Sequence, residues 1–305
     1  MIYDYSVELG SMGRLKSPIM ISSGTFGVAK PYMDLLCEQP IGAVVTKTIT
    51  LNSKTGNSQP RVYEGPSYLI NSIGLENHGV DRFVDCYNDE YGEIGFPVIV
   101  SISGNSVDEF ATIAEKLNTL EGPLGLELNL SCPNVDSEGL AFGSVPKRIG
   151  EVVEACGSCS RFPLIAKLSP FQAIDESFAV VAERAGAAAI SLINTVPAMV
   201  LDIHRFRSAI GALSGGMSGP AVKPIALKMV FEISRSVNIP VIGMGGIASG
   251  EDAIEFLMAG ARAVSIGTMN MVDPSLPGQI MGKIADFMKL HDIESLTEIS
   301  RRFRL

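Results

Sequence analysis

Eight short runs rich in Val, Ile and Ala recur along the whole chain, each followed by a small, polar or glycine-rich segment. They read as strands at Pro18–Ser22, Ala43–Lys47, Pro97–Ser103, Gly125–Asn129, Pro163–Lys167, Ala189–Asn194, Pro240–Met244 and Ala263–Gly267. Most are apolar throughout rather than alternating, the pattern of strands buried on both faces of a parallel sheet. Helical patterns lie between them. In VDEFATIAEKL from Val107, Phe110, Ile113, Ala114 and Leu117 share one face. A second helix runs from Ala221 (AVKPIALKMVFEISRS), and Pro220, Ala221 and Gly250 sit near helix starts or turns. Strand followed by helix, eight times, predicts an α/β fold: a single (β/α)8 TIM barrel. The 305 residues exceed the about 250 that such a barrel needs. The excess falls in two insertions, residues 48–96 after the second strand and 195–219 after the sixth. No linker or low-complexity stretch interrupts the chain, so residues 1–305 are expected to form one domain.

The strand ends and following loops read SSGTFG, KTIT, SISGN, NLSCPN, KLSP, NTVP, GMGG and GTMN. In such a barrel all eight gather on one rim, where catalytic groups collect. Lys47, Asn129, Cys132, Lys167, Asn194 and Thr195 are therefore expected to converge, although far apart in sequence.

Several of these groups suggest chemistry. GMGG (Gly243–Gly246) and SIGT (Ser265–Thr268) close the last two strands, where glycine lets backbone amides approach a phosphate. The plain alternative is a pair of tight turns. Gly243, Gly245 and Ala248 also fit a dinucleotide fingerprint, but that motif opens a βαβ unit and needs an acid about 20 residues on. Here it follows seven strand–helix units and lacks the acid. Lys47 and Lys167 each end a strand; such a lysine needs an anion or a paired carboxylate. Asn71, Asn129 and Asn194 offer amide donors and carbonyl acceptors suited to a planar ligand with alternating N–H and C=O edges. Cys132, between Ser131 and Pro133, is either a small buried hydrophobe or a thiol base activated by nearby cations. Cys37 and Cys86 read as structural, as do Cys156 and Cys159, whose lone CxxC lacks the partners of a metal site. The three histidines, His78, His204 and His291, have no metal-ligand spacing, and no metal is expected.

A net charge of −9 disfavours a broad grip on nucleic acid or anionic lipid. The start, MIYDYSVELG, carries acids where a signal peptide would carry bases. No run approaches the ~20 apolar residues of a membrane span. The expectation is a cytoplasmic protein without membrane or nucleic-acid partners.

ELNLSCPNV, from Glu127 to Val135, resembles the catalytic loop of the soluble, class 1 dihydroorotate dehydrogenases. The likeness runs essentially end to end, through SSGTFG from Ser22, VVTKTITLN from Val44, NSIGLEN from Asn71 and GLAFG from Gly139. It continues with AKLSP from Ala166, LINT from Leu192, GGMSGPAVKP from Gly215, IGMGG from Ile242 and IGT from Ile266. The resemblance implies that Cys132 is the base that removes the C5 proton of dihydroorotate while C6 gives a hydride to FMN. It implies substrate contacts at Lys47, Asn71, Asn129, Asn194 and Thr195, with Ser72, Ile73, Gly74 and Leu75 in the same substrate loop. Flavin contacts are implied at Ser23, Lys47, Thr48, Ser101, Asn129, Lys167, Ile193 and Gly219, with Gly245, Gly246, Gly267 and Thr268 as the phosphate cradle. Ser101 stands where many relatives have asparagine.

The membrane-bound class uses serine as base and carries an added N-terminal segment, whereas this chain has Cys132. GLAFG is similar to the class 1B pattern. That class implies a homodimer joined in a heterotetramer by an electron-transfer subunit carrying FAD and a two-iron, two-sulfur cluster (2Fe-2S), which passes electrons to NAD. Fumarate is the other acceptor to be considered. A dihydropyrimidine dehydrogenase-like enzyme, a tRNA dihydrouridine synthase and a non-catalytic flavin-binding subunit are the competing readings; the net charge of −9 weighs against an RNA substrate.

Overall fold

In the computed structural model, residues 3–26, 36–131 and 145–304 are described. The eight expected strands form, as β1 (Ile19–Ile21), β2 (Ala43–Val45), β3 (Val98–Ile102), β4 (Pro123–Asn129), β5 (Leu164–Leu168), β6 (Ala189–Leu192), β7 (Val241–Met244) and β8 (Ala263–Ile266). They close into a barrel in chain order, every neighbouring pair parallel, and β8 returns to β1 through Val264↔Ile19, Ser265↔Met20 and Ile266↔Ile21. Helices cover the outside. The helix Val107–Leu117 shows why they form where they do. Ser106 caps it by accepting from the Glu109 N–H, Asp108 and Glu109 occupy its first turn, and Phe110, Ile113, Ala114 and Leu117 are buried. The stretch from Ala221 divides into a tight 3-10 turn, Pro220–Val222, and a helix, Lys223–Ser236. Pro224 lacks the N–H that would continue α-helical bonding back to the Pro220 carbonyl. No helix among the described residues is long and apolar enough to cross a membrane.

Parallel register puts paired residues on the same face, so the pairings sort each strand into inward and outward positions. Met20, Val45, Ile99, Ile165 and Ile242 fill the lower interior, linked through pairs such as Met20↔Ala43, Val45↔Ile99 and Glu127↔Ile165. Further inward positions, toward the strands' C-terminal ends, are Ser22, Ser101, Glu127, Lys167, Ser191, Met244 and Ser265. All of these are buried. The barrel is thus apolar below and, Met244 apart, polar toward its mouth, a change that the apolar character of the runs concealed.

The two insertions are one structure. Residues 48–96 include the helix Val80–Tyr91, which covers the barrel, so the excursion itself is confined to 48–79. Its hairpin, Val62–Gly65 with Tyr68–Asn71, pairs with Gly215–Ser218 from the second insertion, which pairs in turn with Val196–Ala198. This antiparallel sheet joins the segments after β2 and β6 at the rim. Gly215 and Gly216 permit the join: a Cβ at Gly215 would strike the Asn71 carbonyl, and one at Gly216 the Thr195 hydroxyl. Gly216→Ala is expected to cost about 1–3 kcal/mol through overpacking and to lower the thermal midpoint by a few degrees. Calorimetry of the variant checks this; an unchanged midpoint would show that Thr195 yields freely.

Candidate functional site

The mouth is organised around two asparagines. Asn129 ends β4 and Asn194 lies just beyond β6. Asn194 Nδ2 donates to Asn129 Oδ1 at 3.0 Å and to Ser131 Oγ at 2.9 Å. Asn194 Oδ1 accepts from the Thr195 N–H at 2.8 Å, and the Asn194 N–H bonds to the Leu168 carbonyl at 2.9 Å. One side chain therefore ties together the ends of β4 and β6 and the start of the Cys132 loop. Cys132, the expected base, lies outside the described residues; Ser131, its predecessor, is held at the mouth. Asn71 reaches the same rim from the inserted sheet, donating to the Gly216 carbonyl at 3.3 Å.

The two strand-end lysines are held differently. Lys167 Nζ donates to Glu127 Oε1 at 3.1 Å, with both side chains buried. Ser191 Oγ donates to Glu127 Oε2, also at 3.1 Å. Lys47 is 42% exposed and meets Glu76 only at 3.6 Å. Glu76 is held closer by Arg61, at 2.9 Å. The hydrogen bond and charge of Arg61, helped by Lys47, keep the Glu76 carboxyl below its ordinary range. Arg61 thus claims the carboxylate and leaves the Lys47 ammonium open to an incoming anion.

The expected substrate loop, Ser72–Leu75, is braced from the first insertion. The Ser72 N–H bonds to the Arg61 carbonyl at 2.8 Å, and Asn57 donates to Ser72 Oγ at 2.6 Å and to the Ile73 carbonyl at 3.0 Å. Gly74 has φ +75°, and Leu75, at φ +53°, has its carbonyl bonded by Asn77 Nδ2 at 2.7 Å. Sequence reasoning missed the braces Asn57, Arg61 and Asn77; the signal available was their density beside the loop. It also missed Glu127 and Ser191.

The other expected cofactor contacts line the adjoining rim. Ser23 Oγ and Thr48 Oγ1 are 3.1 Å apart, Thr48 Oγ1 and Ser101 Oγ 2.9 Å. Ser101 is fully buried, with its hydroxyl turned toward Thr48. Ile193 is buried, and its N–H donates to the Met244 carbonyl at 3.0 Å. Gly219, Gly245 and Gly246 have φ of +94°, +117° and +82°. A Cβ on Gly246 would come within 2.6 Å of the Lys223 backbone nitrogen, so this turn admits only glycine. Around Gly267 there is room, the nearest atom to a Cβ being Ser22 Oγ at 3.8 Å. Thr268 Oγ1 donates to Ser218 Oγ at 2.8 Å. Such a glycine-lined turn fits a phosphate group. It is braced from beneath by Lys223, which meets Asp252 at 2.7 Å, while Asp252 accepts from the Ala248 N–H at 2.9 Å. The CxxC cysteines lie elsewhere, in the last turn of helix Pro146–Cys159. Burial pushes the Cys156 thiol up to about 12, as befits a packing residue.

Comparison with known proteins agrees with this architecture. The profile of the dihydroorotate dehydrogenase family matches residues 11–288. Among curated relatives, the "dihydroorotate dehydrogenase B (NAD(+)), catalytic subunit" of Geotalea daltonii is 42% identical over 296 residues, 97% of each chain. The Bacteroides fragilis protein of that name is equally similar, 42% over 296 residues and 97% of each chain. That of Desulforudis audaxviator is 42% identical over 285 residues, 93% of each.

The brace under the glycine turn predicts a pH effect. Burial opposes ionisation of Asp252, but the Lys223 ammonium and the Ala248 N–H outweigh it and hold the carboxyl below its usual range. Its contribution to stability is therefore complete above the ordinary carboxylate pKa of about 4 and is lost as pH falls through the depressed value. Asp252→Asn should lower the thermal midpoint at neutral pH, and the gap from wild type should close as pH approaches about 3. A gap that persists unchanged into acid would contradict this account.

Proposed function

The chain belongs to the dihydroorotate dehydrogenase family, and from that premise we propose that it oxidises (S)-dihydroorotate to orotate with FMN as hydride acceptor, in de novo pyrimidine (UMP) synthesis. One observation carries the reading. The Asn129–Asn194–Ser131 cluster stands one residue before Cys132, on the same mouth as the accessible ammonium of Lys47. Dihydroorotate is a planar-edged ring with alternating N–H and C=O groups and one carboxylate. Lys47 supplies the cation for the carboxylate. Asn71, Asn129, Asn194 and Thr195 supply donors and acceptors for the ring, and Ser72–Leu75 lie over it. Uracil and thymine lack the carboxylate and leave Lys47 without that partner.

The cofactor contacts follow the same rim: Ser23, Lys47, Thr48, Asn129, Lys167, Ile193 and Gly219 toward the ring, with Ser101 acting through Thr48. Gly245, Gly246, Gly267 and Thr268 cradle the phosphate, consistent with a turn that excludes any Cβ at Gly246. When bound, FMN supplies the two-electron acceptor for the hydride leaving C6. Cys132, as thiolate, takes the proton from C5, and the C5=C6 double bond forms as both leave. The amides of Asn129 and Asn194 hold the ring still while the proton moves. Residues 1–305 act as one FMN-binding unit in this reading.

The relatives are named as catalytic subunits of an NAD-dependent enzyme. By extension this chain works in the cytoplasm as a homodimer with a separate subunit carrying FAD and 2Fe-2S, which passes electrons to NAD. In Cys132→Ala and Cys132→Ser, FMN should be retained while turnover falls by at least ~100-fold. The wild-type rate should rise with pH as the thiol ionises. Full turnover in either variant, or a flat wild-type profile through alkaline pH, would remove Cys132 from the mechanism.

A further inference from the structure

Glu127 stands out because nothing in the packing calls for it. The inward positions around and below it are Met20, Val45, Ile99, Ile165 and Ile242, all buried, with Ile165 its own register partner. Burying an ion pair there gains little stability over apolar residues of the same volume. The pair nevertheless lies at the top of the interior, just under the mouth. Glu127 is 1% exposed and Lys167 6%. Asn129, two residues beyond Glu127 on the same strand face, is the register partner of Lys167.

Both carboxylate oxygens are engaged, Oε1 by Lys167 Nζ and Oε2 by Ser191 Oγ, each at 3.1 Å. These donors come from β5 and β6, so the carboxylate is fixed from two strands and cannot turn. A lysine head on its four-carbon stem would otherwise wander. Lys47, half-exposed and 3.6 Å from its carboxylate, shows what a loosely held ammonium on the same rim looks like.

We propose that Glu127 is a positioning residue that fixes the Lys167 ammonium at the mouth and partly offsets its charge, so that the pair sets how strongly the site favours reduced over oxidised FMN. The inference rests on the FMN reading above. A cation stabilises the negative charge of the reduced ring, and a fixed carboxylate beside it moderates that preference. At several ångströms and an effective dielectric of about 20, removing one such charge is worth on the order of tenfold or more in a binding ratio.

The test uses the full-length protein and measures dissociation constants for oxidised and for dithionite-reduced FMN under anaerobic conditions. In Glu127→Gln, the ratio of the oxidised to the reduced constant should rise about tenfold. In the double variant Glu127→Gln/Lys167→Gln it should fall below the wild-type ratio. Ratios equal to wild type in both would make the pair merely structural and overturn the proposal. Should Glu127→Gln not fold, Glu127→Asp keeps the pair but draws the ammonium one methylene deeper. The ratio should then fall several-fold, and an unchanged ratio there overturns the proposal equally. Wild-type protein that binds neither form of FMN would instead overturn the flavin reading, and the inference with it.

Discussion

The pairing of β8 with β1 closes the barrel and turns eight separate strands into one ring. Because every neighbouring pair is parallel, all eight C-terminal ends lie on one side. Asn129, Lys167 and Asn194 are neighbours for that reason alone, and Lys47 shares their rim, since nothing local in sequence brings them together. Closure also forces each inward side chain into a crowded interior, where an apolar residue packs at little cost and a polar one needs a partner. The partners are present: Ser22 with Ser265, Ser101 with Thr48, and Glu127 with both Lys167 and Ser191.

The polar groups at this level form a floor for the mouth. Above it the insertions supply the walls. Their shared sheet brings Asn71 beside Gly216 and Thr195, so the segment after β2 and the segment after β6 act as one surface. The charges are distributed to match. One ammonium is locked down at the floor and another is left accessible on the wall, with Arg61 occupying the carboxylate that would otherwise claim it. The amide donors at this mouth, Asn129 and Asn194, are already held in place by their mutual hydrogen bonds.

Much of this was legible in the chain. Each strand lay within a residue or two of its apolar run, because burial on both faces leaves a strong local signature. The helix Val107–Leu117 was readable from the spacing of Phe110, Ile113, Ala114 and Leu117. The strand-end positions of Asn129, Lys167 and Asn194 followed from the barrel rule, whereas Cys132 lies outside the described residues. What could not be read was pairing at a distance. Asn71 and Gly216 are 145 residues apart, and neither insertion carries a pattern that names the other. Glu127 was hidden inside a family motif read for its cysteine, although opposite charges in two consecutive apolar runs, LGLELNL and LIAKL, were a usable signal. The extent of the first insertion was overestimated because Val80–Tyr91 is a barrel helix.

The most direct test of the account is anaerobic mixing of the purified, FMN-loaded chain with dihydroorotate while its visible spectrum is followed. Loss of the flavin bands near ~450 nm with stoichiometric orotate formed is the predicted result, reporting substrate, cofactor and half-reaction together. A yellow protein that dihydroorotate leaves unbleached, but that dihydrouracil bleaches, would contradict the assigned substrate while keeping the flavin barrel. A chain that takes up no FMN would contradict the account at its root.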